Sequence, residues 1–588
     1  MKPLLAAVFL AASAVAQVAI TNVSVIPMDS NQVLRNQTVV TNGDKIVAIG
    51  PSKSTRPPQG GRVINGRGKY LIPGLTDAHV HLLSPDQFPL YVANGVTTVF
   101  NLEGRPAHLE WREQVAEGKL LGPTIFTSGP IFFGSRTAET GVKFVDQQAD
   151  AGYDAFKIIS QGPAETYAPV AAEVKKRGML FIGHIPRAVG AEAALEAGQS
   201  IAHADEFLYT YFNPKRSEDE QHLNVHHIVA DEARIPELAR RVRESAVIVE
   251  PTLVTYRDGI EEATNLDHFL ATKPELKYLA PWVLDTISPA KNRFKAVYKE
   301  PEYPVIRAMY PFQQKLVRAL HDAGVPLLAG TDATDSGPVA GFGLHDELEE
   351  LVKCGLSNYE ALKTATVNPA TYLRHANDFG TIESGKRADL LLLNANPLEK
   401  IGNTRQIAGV MLHGKWIDAA QAKSMLEALP ATYAKEHEAF VRDLEQDPKR
   451  AAEWAQQNDP FHGMQAFVFA ELMEQRGTEG FLSLLGSIKK KDADSPFTSE
   501  AAVNQLGYQL IETKPAAAIR IFELNTELYP NSANTYDSLG EAQFKTGDAT
   551  RAVASYRHAL KIDPKYANAE FARKFVAEHE EVEPSPAK

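Results

Sequence analysis

Cysteine is almost absent: Cys354 is the only one among 588 residues, so no internal disulfide can form. Stability must come from core burial or from metal. Cys354 lies in "ELVKCGLS", a helix-end pattern, and reads as a buried small hydrophobe rather than a nucleophile. Positive charge is also in short supply. With 61 Lys and Arg against 73 Asp and Glu the formal net charge is −12, so nothing global attracts phosphate, and no nucleic acid or anionic membrane is expected as a partner. After the N-terminus no apolar run reaches the roughly 18 residues that a membrane span needs.

What the chain has in plenty is length, enough for two to four domains. Its hydrophobic content of 44% and charged content of 23% are ordinary for a soluble globular protein. The first residues, "MKPLLAAVFLAASAVAQ", combine Lys2, an apolar stretch from Leu4 to Ala12 and the small-x-small site Ala14-Val15-Ala16. Residues 1–16 are therefore expected to be a cleavable signal peptide, and the protein periplasmic or secreted. No Cys follows the apolar stretch, which argues against a lipid anchor.

Short alternating runs punctuated by Asn-Gly and Gly-Arg-Gly fill residues 17–70 and return in 379–420, as in "GTIESGKRADLLLLNANP". They predict one small β-sandwich built from both flanks. Between them, 71–378 alternates apolar strands with helical stretches, the pattern of a parallel sheet with crossover helices. Eight strands can be counted: "LIPGLTDAHVH", "VTTVFN", "TIFTSG", "AFKIIS", "MLFIGH", "SIAHAD", "VIVEPTL" and "VPLLAGTDA". Their number and span predict an α/β fold of the (β/α)8 TIM-like barrel type, with long insertions at about 209–245 and 256–315.

After 420 the chain becomes Ala-rich and charged, which predicts a helical linker over 421–495. Residues 496–575 then carry an internal repeat. Leu506-Gly507 aligns with Leu539-Gly540, Ala518 with Ala552, Phe522 with Tyr556 and Pro530 with Pro564. The period of 34 reads as a tetratricopeptide (TPR) region, an all-α module suited to homo-oligomer or protein contacts. Residues 576–588, ending "EVEPSPAK", are expected to form a disordered tail.

Catalytic groups of such a barrel sit at the C-terminal strand ends. Strand one ends in His79 and His81, whose spacing sends both imidazoles to one face. Strand four carries Lys157, strand five ends in His184, strand six in His203 and strand eight in Asp332. Each alone is as readily a hydrogen-bonded structural residue. Together, in one order at five strand ends, they point to a metal site. No acidic or imidazole residue is needed from strands two, three or seven to complete such a site.

That order resembles the amidohydrolase superfamily, and so do the flanks "YLIPGLTDAHVHL", "AGVPLLAGTDA", "GLHDELEELVKCGLSNYEALKTATVNPATYL" and "GTIESGKRADLLLL". Within it the chain looks like the imidazolonepropionase-related and prolidase-like members. The resemblance implies two Zn2+ ions, one on His79, His81 and Asp332 and the other on His184 and His203. A carbamate on Lys157, derived from CO2, would bridge them. It also implies hydrolysis of the amide bond of a small substrate, such as a dipeptide or N-acyl amino acid, by a metal-bound hydroxide. Asp332 would act as general base and then acid. Tyr209, Tyr211 and His345 are candidate oxyanion donors. A mononuclear cyclic-amide hydrolase or deaminase is the alternative, although "GHIPRAVGAEAAL" lacks a Glu at His-x-x-Glu spacing. A TPR interaction protein with a degenerate barrel is disfavoured, because all six ligand positions are intact.

Overall fold

A computed structural model of the protein describes residues 17–159, 163–213, 231–334, 337–459 and 462–579. The expected signal peptide lies outside these residues. So does most of the expected tail, whose beginning belongs instead to the helix Ala569–His579.

Five strands open the described chain: β1 (Gln17–Val25), β2 (Leu34–Asn42), β3 (Lys45–Pro51), β4 (Arg62–Asn65) and β5 (Tyr70–Pro73). Asn42-Gly43 turns β2 into β3, with Gly43 at φ 59°, a conformation that glycine adopts without a Cβ clash. Seven short strands follow: β6 (Leu75–Val80), β7 (Val96–Asn101), β8 (Thr124–Thr127), β9 (Ala155–Ile158), β10 (Leu180–Gly183), β11 (Ser200–Ala202) and β12 (Val249–Glu250). The last three are β13 (Leu390–Leu393), β14 (Ile407–Leu412) and β15 (Lys415–Asp418).

The two flanks do meet, and their strands join in hydrogen bonding. β13 pairs edge to edge with β5, so eight strands join in one mixed sheet of order β15-β14-β13-β5-β1-β2-β3, with β4 beside β1. Val18, Ile20, Val25, Leu71, Leu390 and Met411 fill its core. The expected first strand "LIPGLTDAHVH" is broken at Gly74, where a Cβ would lie 2.2 Å from Thr97 Oγ1. Tyr70–Pro73 therefore belongs to this sheet, and the next strand starts at Leu75.

β6, β7 and β8 pair in parallel, as do β9, β10, β11 and β12. Parallel bridges Ser128–Ala155 and Phe132–Ile158 join the two groups. At the other side Val249 bridges Leu327, and Ala333 bridges Val80. Parallel pairing thus passes through all eight expected stretches and returns to β6. The eighth, "VPLLAGTDA", is irregular: Leu328 N donates to Val249 O at 3.1 Å, and Ala78 N to Ala329 O at 2.9 Å. Ala78, Phe100, Leu180, Ile182, Ala202 and Leu328 form one buried cluster. β6 and β7 are buried at every position, as parallel strands covered on both faces should be.

From Ala431 the chain forms a second compact unit whose regular elements are helices among the described residues. Helix Glu500–Leu510 pairs with Pro515–Leu528, and Ala533–Lys545 with Ala549–Ile562. The repeated residues make the same contact in each pair. A Cβ on Gly507 would meet the Phe522 ring at 2.5 Å, and one on Gly540 the Tyr556 ring at 3.2 Å. Ala518 and Ala552 are fully buried in both. Among the described residues no helix is long and apolar enough to cross a membrane.

Candidate metal centre

All six predicted residues lie at or just beyond the ends of strands in the parallel circuit, and a chain of contacts links all six. The Nε2 atoms of His79 and His81 both converge on Asp332 Oδ1, at 3.2 and 2.8 Å. Lys157 Nζ lies 3.3 Å from His79 Nε2. The His203 ring is 4.8 Å from those of His79 and of His184, centroid to centroid. Gly183 lets β10 approach β9 here: at its φ of 148° a Cβ would sit 2.1 Å from Ile158 O. Asp332 and His203 have left-handed backbones, at φ 56° and 70°. Each costs of order 1–3 kcal/mol, which the surrounding packing must hold. Asp77 does part of that work, accepting from Thr331 N at 3.0 Å and Thr331 Oγ1 at 2.7 Å.

One arrangement unites the four imidazoles: each has its Nδ1 engaged by an oxygen, which leaves Nε2 for the centre. His79 donates to Glu250 at 3.1 Å, His81 to Glu103 at 2.9 Å and His184 to Glu206 at 2.8 Å. His203 meets Thr252 Oγ1 at 2.8 Å, and that hydroxyl already donates to Pro251 O. Such outer partners fix tautomer and ring orientation in metal sites. The donor set fits a divalent cation. Ligand atoms of His79, His81 and Asp332 lie within 4.8 Å of one another. Ligands ~2.0–2.1 Å from a tetrahedral zinc ion stand roughly 3.3 Å apart, close to the separations seen.

Burial shapes the charges. It would raise Asp332, but the field of His79 and the hydrogen bonds of His79 and His81 hold this carboxyl well below the usual range, so it stays ionised. Burial pulls Lys157 down, against the fields of Asp332 and Glu250, and favours its neutral amine. His203 is likewise held neutral by burial. For His81 burial opposes the proton, yet hydrogen bonds to Asp332 and Glu103 outweigh it and raise the imidazole to about 10.

Glu103, Glu206, Glu250 and Thr252 went unpredicted. Glu103 follows β7 and Glu250 ends β12, and both act on the imidazoles rather than as ligands of the centre. The legible signal was an acid at the end of "VIVE", where a parallel strand has no reason to bury a charge. Glu250 is wholly buried and its Oε1 has no partner. Glu250→Gln should weaken metal binding by roughly 10–100-fold, measured by chelator competition, because its amide can also donate and no longer fixes the tautomer.

Beside the centre is a cavity of about 180 Å3. This is below the roughly 300–1,000 Å3 of drug-sized sites and suits a small substrate. His184, His203 and Asp332 line it, and so do Tyr256, Phe294 and Tyr298. Of the oxyanion candidates only Tyr209 lines it. Tyr211 is buried with Arg234 over its ring at 4.3 Å. His345 is buried and bonded to Thr404 Oγ1 and Asn94 O at 2.9 and 3.1 Å, a structural role. Burial lowers its pKa to about 3.

Residues 70–417 match the profile described as "Amidohydrolase family". An adenine deaminase of Deinococcus radiodurans is 31% identical over 120 residues, 18% of this chain and 21% of that protein. An imidazolonepropionase of Thermoplasma acidophilum is 32% identical over 97 residues, 16% and 21%. The chain thus spans about a quarter or less of the curated relatives it matches. Among solved structures, bottromycin amidohydrolase superposes with a TM-score of 0.53 at 22% identity, covering 70% of this chain and 90% of that one. A Xaa-Pro dipeptidase with methionine in its active site gives 0.50 at 20% identity, covering 68% and 100%. These two likenesses show a shared fold.

Proposed function

The chain belongs to the amidohydrolase family, a family of metal-dependent hydrolases, and from that premise we propose that it hydrolyses the C–N bond of a small amide, such as a dipeptide or N-acyl amino acid, at a two-metal centre. The observation that carries this reading is the common orientation of four imidazoles, each with Nδ1 bonded to an oxygen, around Asp332 and Lys157. His79, His81 and Asp332 would hold one zinc ion and His184 and His203 the other. Lys157, whose buried amine can add CO2 and release a proton, would stand between them as a carbamate. Bound zinc would supply Lewis acidity and make water acidic enough to ionise near neutral pH.

The remaining steps belong to side chains. Asp332, kept ionised, accepts the proton of the attacking water and delivers it to the departing nitrogen. Glu250, Glu103, Glu206 and Thr252 hold the imidazoles in register while this happens. Tyr209, at the cavity wall, is the remaining candidate to steady the oxyanion.

In the same reading 71–378 is a (β/α)8 barrel, which the closed circuit of parallel pairing supports, and 17–70 with 379–420 is its β companion. The Gly–aromatic contacts in both helical pairs support a TPR-type region over 496–575 as a homo-oligomer or protein contact. Residues 1–16 act as the export signal to the periplasm or exterior.

The likeness to imidazolonepropionase and adenine deaminase favours one alternative, a mononuclear cyclic-amide hydrolase or deaminase. A single screen separates the two. Zinc-loaded protein supplied with bicarbonate should cleave members of a dipeptide and N-acyl amino acid library and bind about two metals per chain. Ammonia release from adenine, or turnover of an imidazolone with one metal per chain, would replace the proposal with the alternative.

A further inference from the structure

The cavity beside the centre changes character along one helix. Thr252, Thr255, Tyr256, Gly259 and Ile260 all line it, a spacing that belongs to one face of the helix Leu253–Thr272 and its cap. The start of this face is tied to the centre. Thr252 Oγ1 lies 2.8 Å from His203 Nδ1, and Thr255 Oγ1 donates to the carbonyl of Thr331, the residue before Asp332. Glu347 fixes that turn from another helix, accepting from Val254 N at 2.8 Å. Gly259 and Ile260 stand two turns on from Thr252, about 10 Å along the axis at 1.5 Å per residue. Here the face is apolar, and the Phe294 ring lies against it. Phe294 stacks in turn with Tyr298, their planes 7° apart.

Gly259 is the only glycine of that helix, and glycine weakens a helix interior relative to alanine. Its backbone does not call for it, since it is not among the left-handed glycines. Its neighbour does: a Cβ here would stand 3.2 Å from Phe294 Cζ, so the missing methyl makes room for the ring. The charges of the lining belong elsewhere. Glu206 bonds His184 Nδ1 at 2.8 Å, and Asp332 meets His79 and His81. Arg293 is the one charged lining residue from the insertion, and its guanidinium lies over the Phe294 ring at 4.8 Å. We propose that Gly259 and Phe294 are the specificity-determining pair of this cavity: they seat an apolar side chain of the substrate and limit its size, while the scissile amide lies at His184, His203 and Asp332. This rests on the amide-hydrolase reading and narrows it to amides with an apolar side chain.

The test uses the full chain, zinc-loaded, and two dipeptide series, Xaa-Gly and Gly-Xaa, with alanine, leucine, phenylalanine or glutamate at Xaa. In one series leucine should exceed both alanine and glutamate by about tenfold or more in kcat/KM, the discrimination that a hydrophobic pocket makes for a methylene or more. Gly259→Ala adds a methyl against the ring and should lower the ratio of phenylalanine to alanine several-fold. Phe294→Ala frees space and should raise that ratio, and it decides the matter if the first variant fails to fold. Equal turnover of alanine and leucine in both series would overturn the proposal and leave amide hydrolysis standing. So would a preference for glutamate, which would give the role to Arg293, or variants that change every member by the same factor. If no dipeptide is cleaved, the amide-hydrolase reading fails, and calorimetry of N-acetyl-leucinamide against N-acetyl-alaninamide judges the pocket by itself. Tighter binding of the leucine compound, weakened in Gly259→Ala, supports it, and equal or no binding removes it.

Discussion

Asp332→Asn is expected to lower kcat by roughly 10²–10⁴-fold, the usual worth of a positioned general acid–base group. The substitution keeps size and shape but removes the charge that both His79 and His81 address through Nε2, at 3.2 and 2.8 Å. It also removes a cavity-lining group that is held ionised and can take a proton from water. The fold should survive, because the left-handed backbone at φ 56° is one that Asn tolerates better than most residues. Steady-state kinetics on the best substrate of the screen, beside a thermal melt in the presence of chelator, separates chemistry from unfolding. A variant with wild-type kcat would refute the mechanism.

Lys157→Ala is the second large effect expected. Metal content should fall from about two per chain to about one, with kcat down by roughly a hundredfold or more, since the charge that lets two cations stand close together is gone. The rise in melting temperature on adding zinc should shrink as well, because each ion bound by the native state alone contributes RT ln(1 + [L]/Kd). A small carboxylate such as acetate, placed in the space vacated by the side chain, should restore part of the activity. Two metals retained at full activity, with no response to acetate, would show that Lys157 only packs: it is buried to 1% exposure and 3.3 Å from His79 Nε2 in either case.

The sequence was most readable where residue type and position coincide. His79, His81, Lys157, His184, His203 and Asp332 were picked from strand ends, and the fold brings them together, because a parallel sheet fixes where its C-terminal ends point. Periodicity also located all eight stretches of the circuit. It could not tell that "VPLLAGTDA" pairs through isolated bridges, since hydrogen-bond regularity is decided by both neighbours. The break at Gly74 was hidden for a similar reason: "LIPGLTDAHVH" reads as one strand, and only the pairing partners, β13 for Tyr70–Pro73 and β7 for Leu75–Val80, divide it between two sheets. Glu103, Glu206, Glu250 and Thr252 were missed because each acts on an imidazole distant in sequence, up to 171 positions for Glu250 and His79. The cavity wall was foreseen only as a region. The insertion at 256–315 does supply Tyr256, Phe294 and Tyr298, while much of that at 209–245 lies outside the described residues.

The oxygen partners of the imidazoles bear on when the centre comes into being. His79 on β6 takes its partner from β12, His81 from beyond β7, His184 from beyond β11, and His203 from beyond β12. No single strand and no adjacent pair carries a finished ligand set. A nascent chain that has built only its first strands holds imidazoles free to turn either nitrogen outward, and so a poor trap for zinc. On the proposed reading metal capture would therefore be a late event of folding, and the affinity of the centre a gauge of whether the circuit has closed.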